Sequence, residues 1–224
     1  AYVGGSAVLI GHNTSNVYFA GSIDDVRIYS YTRTADQLAA DYRAGAYRTM
    51  IGTSNSNQWT NGLVGYWPFD GQYTTSTAGT RDTSGQNNWG TFNGGVKPAA
   101  GISGQALSFD GVDDYVNAGS VGFSGFSAFS VDFWVKRSSS VRMIPVSAGY
   151  PVWQFNLDTT KNYMEIQIDS VYGAFDNLSI IPSDTWTNII VTHELSGGAW
   201  KYYINGQLSQ QGTQAGTAYT GSGS

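Results

Sequence analysis

The sequence predicts an all-β fold: two antiparallel sheets packed as a sandwich, with one short helix near the N-terminal end. Three observations carry that expectation, namely strict alternation of apolar and polar residues, frequent turn residues, and a composition poor in charge. Charged residues make up 12% of the chain, against about 25% in ordinary globular domains. There are 29 Gly, 15 Tyr and 7 Trp. Abundant aromatics with many Ser, Thr, Asn and Gly suit strands joined by exposed turns.

The elements follow from the pattern. In "FSVDFWVK" the residues Phe129, Val131, Phe133 and Val135 share one face, opposite Ser130, Asp132, Trp134 and Lys136. "YMEIQID" sets Met164, Ile166 and Ile168 against Glu165, Gln167 and Asp169. "WTNIIVTHEL" and "WKYYING" are two more strands joined through Ser196-Gly197-Gly198, and Asn205-Gly206 is a hairpin signal. Shorter strands are expected around Ala7 to Ile10, Val17 to Ala20, Ile23 to Tyr29, Leu63 to Phe69, Ala106 to Phe109 and Tyr115 to Asn117. The single helix follows Thr34, which has the capping-box spacing to Gln37, with Leu38 and Tyr42 on one face and Gly45 placed to stop it. From Ala46 to Gly62 the chain is polar and without period, and reads as a linker.

Composition also excludes. A net charge of −5, with no basic run, argues against a nucleic-acid partner. No apolar stretch approaches the ~18 residues of a membrane-spanning helix. There is no Cys, hence no disulfide and no thiolate metal site. A chain starting at Ala1 without Met is expected to have a processed or excised start. The sequons at Asn13 and Asn177 are expected from chance in so Asn- and Ser-rich a sequence.

Five blocks carry a family resemblance: "GLVGYWPFDG" (Gly62 to Gly71), "DTSGQNNWGTFNGG" (Asp82 to Gly95), "GQALSFDGVDDYV" (Gly104 to Val116), "WTNIIVTHELSGGAWKYYINGQL" (Trp186 to Leu208) and "YFAGSIDDVRIYSYTRTADQL" (Tyr18 to Leu38). Together they resemble the laminin-G-like branch of concanavalin A-like jelly rolls. In that family the "GSIDDVRIY" block comes last; here it comes first. Residues 1–45 then read as the closing strands and helix, 46–62 as linker, and 63–224 as the body. The first segment is permuted, closing its own domain, or donated to a neighbouring copy, or the chain is a window of a longer tandem array. A body lacking its last strands would expose unpaired edge, and a donated strand would join copies head to tail.

Alternation puts Asp24 on the face of Val26 and Ile28, and Asp25 with Arg27 and Tyr29. An aspartate turned towards a core needs compensation by hydrogen bonds or a metal. The resemblance implies calcium near this strand, with Asp24 as ligand and Asp70 beside it; backbone amides alone are the other reading. "FDGVDD" and "DTSGQNN" could hold a cation at the rim, though Asx-capped turns are the favoured reading. A sheet face showing Trp134, Asp132, Lys136, Glu165, Gln167 and Asp169 would suit a glycan, through stacking and hydrogen bonding. Glu165 and Asp169 lie ~13 Å apart along a strand, too far for the ~5–5.5 Å of a retaining acid pair. His12 and His193 have no zinc spacing. The expectation is a non-enzymatic, extracellular adhesive or structural module of a prokaryotic surface protein, self-associating by strand exchange. The alternative is a monomeric carbohydrate-binding module.

Overall fold

The structure is a computed structural model, which describes residues 7–13, 15–46, 60–71, 74–75, 79–121, 126–138, 142–148, 153–158, 163–168, 171–177 and 181–213. In chain order the elements are β1 (Leu9–Ile10), β2 (Ala20–Tyr29), α1 (Ala35–Ala46), β3 (Leu63–Trp67), β4 (Thr74–Thr75), β5 (Gly79–Thr80), β6 (Gly90–Asn93), β7 (Lys97–Ala100) and β8 (Gln105–Asp110). They continue with β9 (Tyr115–Asn117), β10 (Ala128–Arg137), β11 (Val146–Ser147), β12 (Trp153–Asp158), β13 (Tyr163–Ile168), β14 (Val171–Asn177), β15 (Thr187–Glu194), β16 (Ala199–Ile204) and β17 (Gln207–Thr213). One sheet has nine strands in the order β14-β13-β12-β11-β1-β9-β6-β5-β4. The other has eight in the order β17-β16-β15-β10-β2-β8-β7, with β3 also paired to β2. All pairings are antiparallel.

The alternation read in "FSVDFWVK" holds: Phe129, Val131, Phe133 and Val135 enter the core. Across the sandwich they meet Phe155, Val146, Val116 and Ile10 of the nine-stranded sheet. Phe133 and Phe155 meet edge-on with ring centroids 5.0 Å apart. Each such side chain contributes about 1.5–3 kcal/mol on burial, so the two apolar faces hold the sheets together. At the β16–β17 turn Asn205 (φ 51°) and Gly206 (φ 74°) both take the left-handed conformation that this two-residue hairpin requires.

β2 is an interior strand, hydrogen-bonded to β10 on one side and to β8 and β3 on the other. Its regular alternation breaks at Asp25, where the register with β10 shifts and φ is 52°. The bulge changes the parity of the strand. Ile23 before it and Val26 and Ile28 after it all enter the core.

The helix begins as its capping box prescribes. The Thr34 amide donates to Gln37 Oε1 (2.9 Å) and the Gln37 amide donates to Thr34 Oγ1 (3.3 Å). Gly45, expected to stop the helix, lies inside its last turn and is buried against the Trp134 ring. α1 lies on the outer face of the eight-stranded sheet. Leu38 packs on Ile190 and Tyr203, and Tyr42 stacks on Trp134 at 5.5 Å. Arg33, just before the helix, clamps Asp41 through two bonds of 2.6 and 2.7 Å and lies over the Tyr29 ring. Of the expected linker, residues 47–59 lie outside the described residues.

His193 sits opposite Phe129 in the β10–β15 register, its ring edge-on to the phenyl. Burial pushes its pKa down from 6.5 to about 4. A neutral imidazole is therefore favoured in the fold. Its contribution is full above pH 6.5 and is lost as pH falls towards 4, to roughly 3 kcal/mol. Denaturant titrations across that window should show a loss for the wild type that His193→Gln does not share.

Candidate functional site

The bulge relocates Asp24. It pairs in register with Trp134, on the side of the sheet away from the core. The expectation that it shares a face with Val26 and Ile28 is corrected, because one extra residue at Asp25 inverts the alternation. Asp24 is nevertheless 0% exposed. Oδ1 accepts the Asp25 amide (2.8 Å) and Oδ2 the Ile102 amide (3.0 Å). The turn from Gly101 to Gly104 lies between Asp24 and Asp70. Asp70 Oδ1 accepts the Gln105 amide at 3.1 Å, and the Gly101 amide donates to the Gly104 carbonyl at 3.1 Å. A Cβ on Gly101 would collide with Asp24 Oδ2, and one on Gly104 with Asp70 Oδ1. Burial, then the charges of Asp25 and Asp70, push Asp24 up to about 8, against the pull of its two amide bonds. Asp24 and Asp70 thus flank one turn whose glycines leave no room for a side chain, and both Asp24 oxygens are taken by amides.

Asp25 and Asp132 flank Arg27. The guanidinium contacts Asp25 Oδ1 at 3.1 Å and Asp132 Oδ2 at 3.3 Å. Asp132 also accepts Asn188 Nδ2 at 2.7 Å; burial pushes it up to about 7 while Arg27 pulls it back. Asp132 is thus committed to Arg27 and Asn188 within the sheet.

Trp134 is 2% exposed, roofed by Tyr42 and by Gly45 of α1. The open aromatic platform expected there is corrected: the helix that precedes these strands in the chain covers that face. Lys136 is half-buried with its ammonium 5.5 Å from the centroid of Trp186. Glu165 and Gln167 belong to β13, in the nine-stranded sheet, whereas Trp134, Asp132 and Lys136 belong to β10 in the other. The five described residues are therefore divided between two sheets. Asp169 lies outside the described residues.

Both acidic loops are turns. Asp82 accepts the amides of Tyr66, Ser84 and Asn88 at 2.8–2.9 Å. In the cluster Asp110, Asp113 and Asp114, Asp114 accepts the amides of Gly95 and Asp110, and Asp110 accepts those of Val112 and Asp113. The Val112 amide, foremost, lowers the pKa of Asp110. At the sequons, Asn13 is buried and its amide donates to Gln154 Oε1 (2.8 Å), while Thr14, Leu178 and Ser179 lie outside the described residues.

Sequence reasoning missed an aromatic stack beside the nine-stranded sheet. His12 lies 4.4 Å from Tyr18 and 4.9 Å from Tyr115, centroid to centroid. Tyr18 and Tyr115 are half-exposed. On the adjacent strand pair Asn93 lies opposite Tyr115, and Thr91 opposite Asn117. Val116 and Phe92 alternate with these four towards the core. The signal available was the alternation in "TFN" and "YVN", three residues each and too short to weigh alone.

A family model described as the concanavalin A-like lectin/glucanase superfamily, in its laminin G form, matches residues 109–224. Among curated proteins and among solved structures, none matches the chain. The family match spans β9 to β17 and so does not include β2. With over half of the sequence matched and the two antiparallel sheets in place, the chain belongs to the concanavalin A-like lectin/glucanase superfamily.

Proposed function

We propose that the chain is a non-enzymatic, lectin-like adhesive module of an extracellular prokaryotic surface protein. It takes a glycan on the outer face of β6 and β9. The observation that carries this reading is the His12–Tyr18–Tyr115 stack beside Thr91, Asn93 and Asn117. Partly exposed rings bordered by amides and hydroxyls are what a sugar needs, its C–H face stacking while its hydroxyls pair. A low-charge surface without cysteine is in keeping with an extracellular place. No described helix is long and apolar enough to cross a membrane. The non-enzymatic reading rests on the missing acid pair, since Gln167 stands between Glu165 and Asp169. A glycan array should return ligands for the wild type and about tenfold weaker binding for Tyr115→Ala. An array without ligands, or a Tyr115→Ala variant that binds as before, overturns the reading.

Calcium at Asp24 and Asp70 belongs to the same proposal as a structural ion. Added calcium chloride should raise the melting temperature of the wild type near pH 8 and leave that of Asp24→Asn unchanged. An equal response of both proteins removes Asp24 from the site.

Strand exchange between copies is the second reading. It is favoured by the position of β2, whose partners β3, β8 and β10 all lie later in the chain, beyond the segment 47–59. The same contacts could be made by a neighbour's β2, joining copies head to tail. Light scattering from dilute to concentrated samples decides between them. A monomer throughout means that residues 1–45 close their own domain, and growing oligomers abolished by their deletion mean that they are donated.

A further inference from the structure

Three large apolar side chains stand far out of the surface among the described residues: Val112, Leu208 and Trp89, the last 58% exposed. Trp89 is the aromatic one, and exposing an indole runs against its burial preference. It is also held on a rigid base. The residue before it is fixed three ways: the Asn88 amide donates to Asp82 Oδ2 (2.9 Å), its side chain donates to the Val64 carbonyl (2.7 Å), and its carbonyl accepts Trp67 Nε1 (2.7 Å). The Trp89 amide itself donates to the Asn87 carbonyl at 3.0 Å. Over the indole, 5.4 Å from its centroid, lies the guanidinium of Arg81. Arg81 is exposed and makes no ion pair or hydrogen bond with the described residues. In a chain of net charge −5 this cation has acidic side chains to choose from, yet its partner is a ring.

We infer that Trp89 and Arg81 form a subsite for an anionic sugar, the indole stacking on the pyranose and the guanidinium pairing with its carboxylate or sulfate. The inference rests on the lectin-like reading and adds to it a ligand class and a second contact at the start of β6. The chemistry on each side is complementary. A planar fork of N–H donors matches a carboxylate or sulfate in two bonds. An exposed indole offers a flat apolar face at small conformational cost, because its base is already ordered.

The test follows the Trp indole N–H resonances of the full chain during titration with oligogalacturonate, with a sulfated oligosaccharide, and with neutral counterparts of each. Trp89→Ala identifies the Trp89 signal. At least one acidic ligand should move that signal, the neutral ones should move it far less, and Arg81→Gln should weaken acidic binding about tenfold while other resonances stay in place. Both residues are exposed, so a dispersed spectrum of each variant verifies the fold. A Trp89 signal unmoved by every acidic ligand overturns the inference, as does acidic binding that survives Arg81→Gln. Equal shifts from neutral sugars, or shifts from phosphatidylcholine vesicles instead, overturn it too. Neutral binding that needs Tyr115 but ignores Trp89→Ala leaves the lectin-like reading standing and this one refuted.

Discussion

Arg27 is held out of water between two carboxylates, and the outer side of the eight-stranded sheet is organised around that charge. Burying a guanidinium is unfavourable unless its donors are matched, and deleting one partner of such a group costs about 3–5 kcal/mol. Asp25 and Asp132 supply the charge, and the Tyr66 hydroxyl accepts a further bond from Arg27 while donating to Asp25. Asn188 holds the other oxygen of Asp132. These residues come from β2, β3, β10 and β15, so one cation fixes four neighbouring strands in register. The bulge at Asp25 is part of that arrangement, because it turns Asp25 to Arg27 without displacing Val26 from the core.

The helix completes the same layer. A face bearing Trp134 and Asp132 can be left to solvent or covered, and α1 covers it with Tyr42, Leu38 and the buried Arg33–Asp41 pair. The result is two unequal outer surfaces. One, over β10, is packed and charged within. The other, along β6 and β9, keeps its polar and aromatic groups partly in solvent.

Much of this was legible in the sequence, and the exceptions have physical causes. Phe129 to Val135 alternate over a long strand, Asn205-Gly206 can make only a narrow set of turns, and Thr34 with Gln37 names its own helix start. Each is a local rule acting on adjacent residues. Asp24 was misplaced because a bulge inverts parity, and "SIDDVRIY" does not itself announce an inserted residue. The burial of Trp134 is not legible in the sequence, because a period-2 pattern separates two faces without saying what lies on the outer one. Nor is the separation of Glu165 from Trp134, because a strand's sheet is decided by topology and not by its own residues. The His12–Tyr18–Tyr115 group joins residues far apart in the chain through pieces too short to show a period.

The order of synthesis gives β2 a further consequence. Arg27 and Asp132 are separated by 105 residues, so when β2 leaves the ribosome none of its strand partners exists. A strand with both edges open must wait for β3 and β8 on one side and for β10 on the other. Contacts so distant in sequence make folding slow and lengthen the exposure of an edge to other chains. Asp24, Asp25 and Arg27 set three charged side chains within four positions of that strand, the kind of residue that disfavours pairing with a wrong edge.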